Sequence, residues 1–163
     1  MRCSPNLRMV LGFMSLFWSG MVWSQFRVTS PSFQEESLHR HAVIYKDATA
    51  KLTLEAVQQL PLSAFTPLVV ENTDLGFTTA TYWLRFSIKN ELDHPVSYYL
   101  ETARPIIDKA TLYGFEGKKR VAFQESGDRI PISQKSVKQR KTLFTITLPA
   151  HQEYQYWIRL QSD

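Results

Sequence analysis

From Tyr82 onward, apolar and polar residues alternate with a period of two, so this part of the chain is predicted to fold as strands that each bury one face. Leu84, Phe86 and Ile88 interleave with Arg85, Ser87 and Lys89, which makes the first three the expected core and the others the opposite face. Further β-prone segments follow at residues 96–100, 107–113, 121–124, 143–148 and 154–160. Asp93-His94-Pro95, the two glycines within 114–119, Ser126-Gly127-Asp128, and Pro149 with His151 separate them as turns. Short strands joined by turns at this spacing predict an all-β sandwich.

The upstream part has a different grammar. Residues 41–45 (HAVIY) form a short β-prone run. In 52–60, Leu54, Val57 and Leu60 recur three apart, Thr53 can cap the start and Pro61 stops the turn, which predicts one short helix packed by a single stripe. Residues 25–40 are polar and mixed and read as a linker, leaving 41–163 as the sandwich domain. Residues 1–24 combine Arg2 and Arg8, an apolar run from 9 to 18 and a Val22-Trp23-Ser24 end, the order found in a secretory signal peptide. A retained anchor is the rival reading, although the run is shorter than the ~20 residues that span a bilayer. Cys3, the one cysteine, lies ahead of that run, where a lipoprotein cysteine would follow it. After cleavage the chain would have no disulfide, no thiolate metal site and no cysteine nucleophile. Export also makes nucleic acid a poor partner and points to the periplasmic or extracellular side of the inner membrane.

The order of several segments resembles a known family. These are KLTLEAVQQL, Tyr82-Trp83-Leu84-Arg85-Phe86 ending in Asn90, Ile107-Asp108-Lys109-Ala110-Thr111-Leu112-Tyr113, and Ser126-Gly127-Asp128 with Pro131 downstream. Arg140 ahead of Phe144 and Tyr156-Trp157-Ile158-Arg159 complete the set. Together, over about residues 41–163, they resemble the extracellular domain, second type, of bacterial seven-transmembrane receptors with diverse intracellular signalling modules. The resemblance implies a jelly-roll-like β-sandwich similar to carbohydrate-binding modules, and a non-catalytic sensory role beside a membrane-embedded receptor bundle. This chain carries neither the bundle nor an output module, and the family's last strand is expected to be cut short. It therefore reads as a fragment, a truncated product or a free-standing secreted carbohydrate-binding or assembly module without a signalling role. In the truncated reading, 154–160 would form an exposed aromatic edge, which invites pairing between chains.

A carbohydrate or small anionic ligand needs ring faces and a few convergent polar groups. Trp83, Arg85, Tyr113, Asp128 and Arg140 are the candidates, with the arginines as charge-assisted donors. Each also has a structural reading: Trp83 as core, since its parity is opposite to Leu84 and Phe86, Asp128 as a turn former, and Arg140 as part of a solvated basic loop. That loop belongs to a basic window, 118–141, in which Lys118, Lys119, Arg120, Arg129, Lys135, Lys138, Arg140 and Lys141 face only Glu125 and Asp128. His39 and His41 lack a third metal ligand, Asp128 has no spaced acidic series around it, and there is no GxSxG or HExxH motif. No metal, cofactor or catalytic group is therefore expected.

Overall fold

A computed structural model describes residues 25–31, 35–70, 78–102 and 107–162; the signal-peptide reading falls on 1–24 and lies outside them. The described strands are β1 (Phe26–Val28), β2 (Ala42–Asp47), β3 (Thr66–Pro67), β4 (Thr81–Asn90), β5 (Val96–Glu101), β6 (Lys109–Glu116), β7 (Lys119–Ser126), β8 (Leu143–Leu148) and β9 (Glu153–Gln161). One sheet runs β3-β2-β4-β9-β6-β7, with β1 paired in parallel beside the end of β4, and β5 and β8 form a second sheet. The fold is the β-sandwich with one short helix that the alternation predicted.

The predicted register holds on β4. Phe86 and Ile88 are buried between the two sheets with Leu112, Phe144, Ile146, Leu148, Tyr156 and Ile158, and Leu84 packs at the margin of this cluster. Part of the opposite face of the large sheet is also buried, because α1 (Leu54–Gln58) lies on it. Thr53 caps α1 by accepting from the Ala56 amide at 3.3 Å. Leu54 and Val57 then close over Val43, Phe65, Trp83 and Trp157. The parity of Trp83 thus reflects a second apolar layer beneath the helix.

Three sequence expectations need correction. The segment read as a linker contains β1, whose Val28 is fully buried. The hairpin between β6 and β7 turns at Gly117 and Lys118, whereas Gly114 lies inside β6 at a register shift. There a Cβ would come within 3.0 Å of both Ala122 and the Tyr156 ring. Finally, the last strand is no edge: β9 pairs with β4 on one side and β6 on the other.

Three polar devices fix the frame. Fully buried Asn90 donates through its side-chain nitrogen to the carbonyls of His94, Pro149 and Leu148, at 2.9, 3.0 and 3.2 Å, and accepts from the Leu92 amide at 3.0 Å. The Gln124 amide group donates to the Thr145 carbonyl at 2.6 Å and accepts from its N–H at 3.0 Å, standing in for a strand pair between β7 and β8. Gly127 has φ +117°, and a Cβ there would meet the Asp108 carbonyl at 2.6 Å, so Ser126-Gly127-Asp128 can zip onto Ile107 and Asp108 only with glycine at its centre.

Candidate functional site

The registers of β4, β9, β6 and β7 set one row of side chains across the helix-bearing face: Arg85, Trp157, Tyr113 and Phe123. The next row begins Trp83, Arg159, Thr111. Each arginine is therefore opposite a tryptophan on the neighbouring strand. The Arg85 guanidinium lies 5.2 Å from the Trp157 ring centre and that of Arg159 lies 5.6 Å from Trp83. Trp83 and Tyr113 stack at 6.4 Å with 24° between their planes.

Three of the five residues singled out from sequence thus share one face. Trp83 is only 1% exposed and offers no ring face to a ligand in this conformation. Tyr113 is partly buried, and burial pushes its phenol above the ordinary range. Arg85 is half-buried, and burial lowers its pKa from the ordinary arginine value. Asp128 and Arg140 sit instead on the connection between β7 and β8, outside these strands. The basic window is likewise divided. Lys118 and Lys119 lie at the hairpin tip, about 20 Å along β7 from that connection. Lys135 is buried, with its ammonium donating to the carbonyls of Gln139 and Arg140, and Lys141 pairs with Glu101 at 2.9 Å.

Arg85 opens onto a cavity of about 140 Å³. The Ser87–Gln155 row forms its floor, next to the Arg85–Trp157 row, and Glu153 stands one row further on. Gln25 and His41 supply further polar lining, and Val43 and Leu62 an apolar side. Gln155 is oriented, since its side-chain oxygen accepts from the Trp157 indole N–H at 3.1 Å. The Arg85 guanidinium rests on Trp157 and makes no hydrogen bond or ion pair with any described residue. A half-buried arginine of this kind presents a donor fork suited to a carboxylate or other anion.

Sequence reading missed Ser87, Glu153, Gln155 and Trp157 as neighbours of Arg85. Their only signal is the shared parity of 85, 87 and 153, 155, 157, which becomes a site once the β4–β9 register is known. Among the described residues no group of three or more His, Cys, Asp or Glu is arranged to hold a metal ion, and no helix is long and apolar enough to cross a membrane.

The family model described as 7TMR-DISM extracellular 2 matches residues 39–163. Among curated proteins no match is found.

Proposed function

The chain belongs to the 7TMR-DISM extracellular 2 family, and from that premise we propose that it binds a small polar ligand bearing a carboxylate, sugar acids among them, in the Arg85 cavity. The family is one of receptor extracellular sensory domains, so the chain is a sensory domain on the periplasmic or extracellular side. We read residues 1–24 as the export signal and the domain as non-catalytic. Ligand recognition rests on one observation: a half-buried guanidinium with no hydrogen bond or ion pair to a described residue, held on an indole beside a polar floor. Burying a charge is costly unless something pairs with it. A bound carboxylate supplies that pair, with Ser87 and Gln155 available to its hydroxyl or oxygen groups.

Signalling then requires the ligand to favour one of two arrangements of the domain relative to a membrane bundle, since equal binding to both shifts nothing. The cavity is lined by β4, β9 and Val43 of β2, with Gln25, His41 and Leu62 around them. A ligand there can bias how the cap formed by α1 and residues 62–65 sits on the sheet.

Calorimetric titration with a panel of small carboxylates, sugar acids and amino acids among them, tests this. Binding by the wild type and a loss of at least about tenfold in Arg85→Gln, with circular dichroism unchanged, is the expected result. Silence across the panel, or equal affinity in the variant, would overturn the reading.

A further inference from the structure

We infer that the ligand of the Arg85 cavity is dipolar, carrying an amine as well as a carboxylate. The inference rests on the ligand-binding reading above and adds to it the role of Glu153. Arg85 and Glu153 line the same cavity from its two ends. Their order along the sheet is fixed by register: Arg85 pairs with Trp157, Ser87 with Gln155, and Lys89 with Glu153. On this face the uncharged Ser87–Gln155 row lies between the two charged ends. Four residues of strand separate the rows of Arg85 and Glu153, about 13 Å between backbones, and both side chains are long enough to lean inward over the floor.

Neither charge has a hydrogen-bond or ion-pair partner among the described residues. The Glu153 carboxylate, like the Arg85 guanidinium, makes no ion pair with a described residue. Lys89, directly across from Glu153, instead has its ammonium 4.0 Å from the Glu91 carboxylate. An anion-only ligand would bring a second negative charge into the cavity that Glu153 lines. A molecule with a carboxylate at the arginine end and an ammonium at the glutamate end satisfies both, with Ser87 and the Gln155 amide reaching its middle. Such complementary fields select the partner as much as they hold it. The small cavity, well below the ~300–1,000 Å³ of drug-sized sites, suits a ligand of a few heavy atoms such as an ω-amino acid. Glu153 is exposed, so the amine end stays near the mouth.

Titration of the protein with γ-aminobutyrate, butyrate and butylamine, alongside the sugar acids, separates this inference from the one it rests on. γ-Aminobutyrate is expected to bind at least about tenfold tighter than butyrate, with Glu153→Gln erasing the difference and Arg85→Gln abolishing both. Butyrate binding as well as γ-aminobutyrate, or a preference for γ-aminobutyrate that survives in Glu153→Gln, would overturn the dipolar ligand while leaving the anion site standing. So would sugar acids binding where γ-aminobutyrate does not. Failure of every carboxylate would remove both readings together.

Discussion

The Arg85 guanidinium lies over the Trp157 ring, 5.2 Å from its centre, directly across the β4–β9 ladder. Two residues along β9, Arg159 does the same over Trp83, 5.6 Å away, and its outer nitrogen reaches the Ala50 carbonyl at 3.5 Å. The two pairs alternate, arginine facing tryptophan and then tryptophan facing arginine. The indoles can therefore pack down under α1 while the guanidinium groups stand at the margins of the same layer. This is how one face of a sheet serves both as core and as a place to hold charge.

The two halves of this layer should respond differently to substitution. Trp83→Ala is expected to destabilise the domain by about 3–5 kcal/mol, the range for removing a large buried ring. Arg85→Gln should cost at most about 1 kcal/mol, the scale of a partly exposed cation–π contact. Urea unfolding followed by tryptophan fluorescence and circular dichroism reads both. A Trp83→Ala protein as stable as the wild type would show that the layer under α1 is not a core.

On the facing side of β4, Phe86→Ala and Ile88→Ala should each lose about 2–5 kcal/mol. Leu84→Ala should lose less, because Leu84 is only partly buried at the margin of that cluster. Ser87→Ala, on the cavity floor, should leave the urea midpoint almost unmoved. Damage from Ser87→Ala equal to that from Phe86→Ala would mean that the strand is slipped by one residue.

The longer strands of the sandwich could be read from sequence because they carry their own period, and 143–148 and α1 with its Thr53 cap needed no partner to be recognised. What could not be read is whatever depends on pairing. Val28 looks like part of a polar linker until β4 lies beside it, since three residues are too few to show a period. Residues 154–160 look like an edge when the chain is read in order, and become interior because β6 returns to flank them. Trp83 had the correct parity signal, and its meaning depended on joining it to the Leu54–Val57 stripe thirty residues earlier. Arg85 was found as a donor, whereas Ser87, Gln155 and Glu153 entered the site only through the β4–β9 register.

Asp47 gives the fold an acid sensitivity of known sign. Burial raises its pKa, but bonds from the Thr49 hydroxyl at 2.6 Å and from the amides of Leu52 and Thr49 at 2.8 and 3.0 Å outweigh that and leave it below the usual value of 3.8. A carboxyl held lower in the folded state than in the unfolded chain contributes stability that is complete above the unfolded value. That contribution is lost as pH falls through the folded value. Urea midpoints measured from about pH 7 to about pH 3 should therefore show Asp47→Asn less stable than the wild type at neutral pH, with the gap closing in acid. A gap that stays constant across that range would assign the loss to something other than the ionised carboxylate.

Asn90 should show the opposite pH dependence once its amide is replaced by an acid. Its nitrogen faces three carbonyls, of His94, Pro149 and Leu148, and ties the end of β4 to both the β4–β5 and β8–β9 connections. Asn90→Ala leaves these acceptors and the Leu92 amide without their partner, and each buried group stranded in this way costs about 1–3 kcal/mol. Asn90→Asp keeps the shape and the oxygen that Leu92 bonds, but an ionised carboxylate can donate to none of the three carbonyls and is repelled by them. Only the protonated acid can donate, so folding must raise its pKa. A group raised in this way stabilises fully below its unfolded value and loses that contribution as pH rises through the folded one. Asn90→Asp should thus approach wild-type stability in acid and fall toward Asn90→Ala at neutral pH, as read by urea midpoints between about pH 4 and about pH 8. If Asn90→Asp matched the wild type at pH ~7, the nitrogen's three bonds would not be what joins these connections.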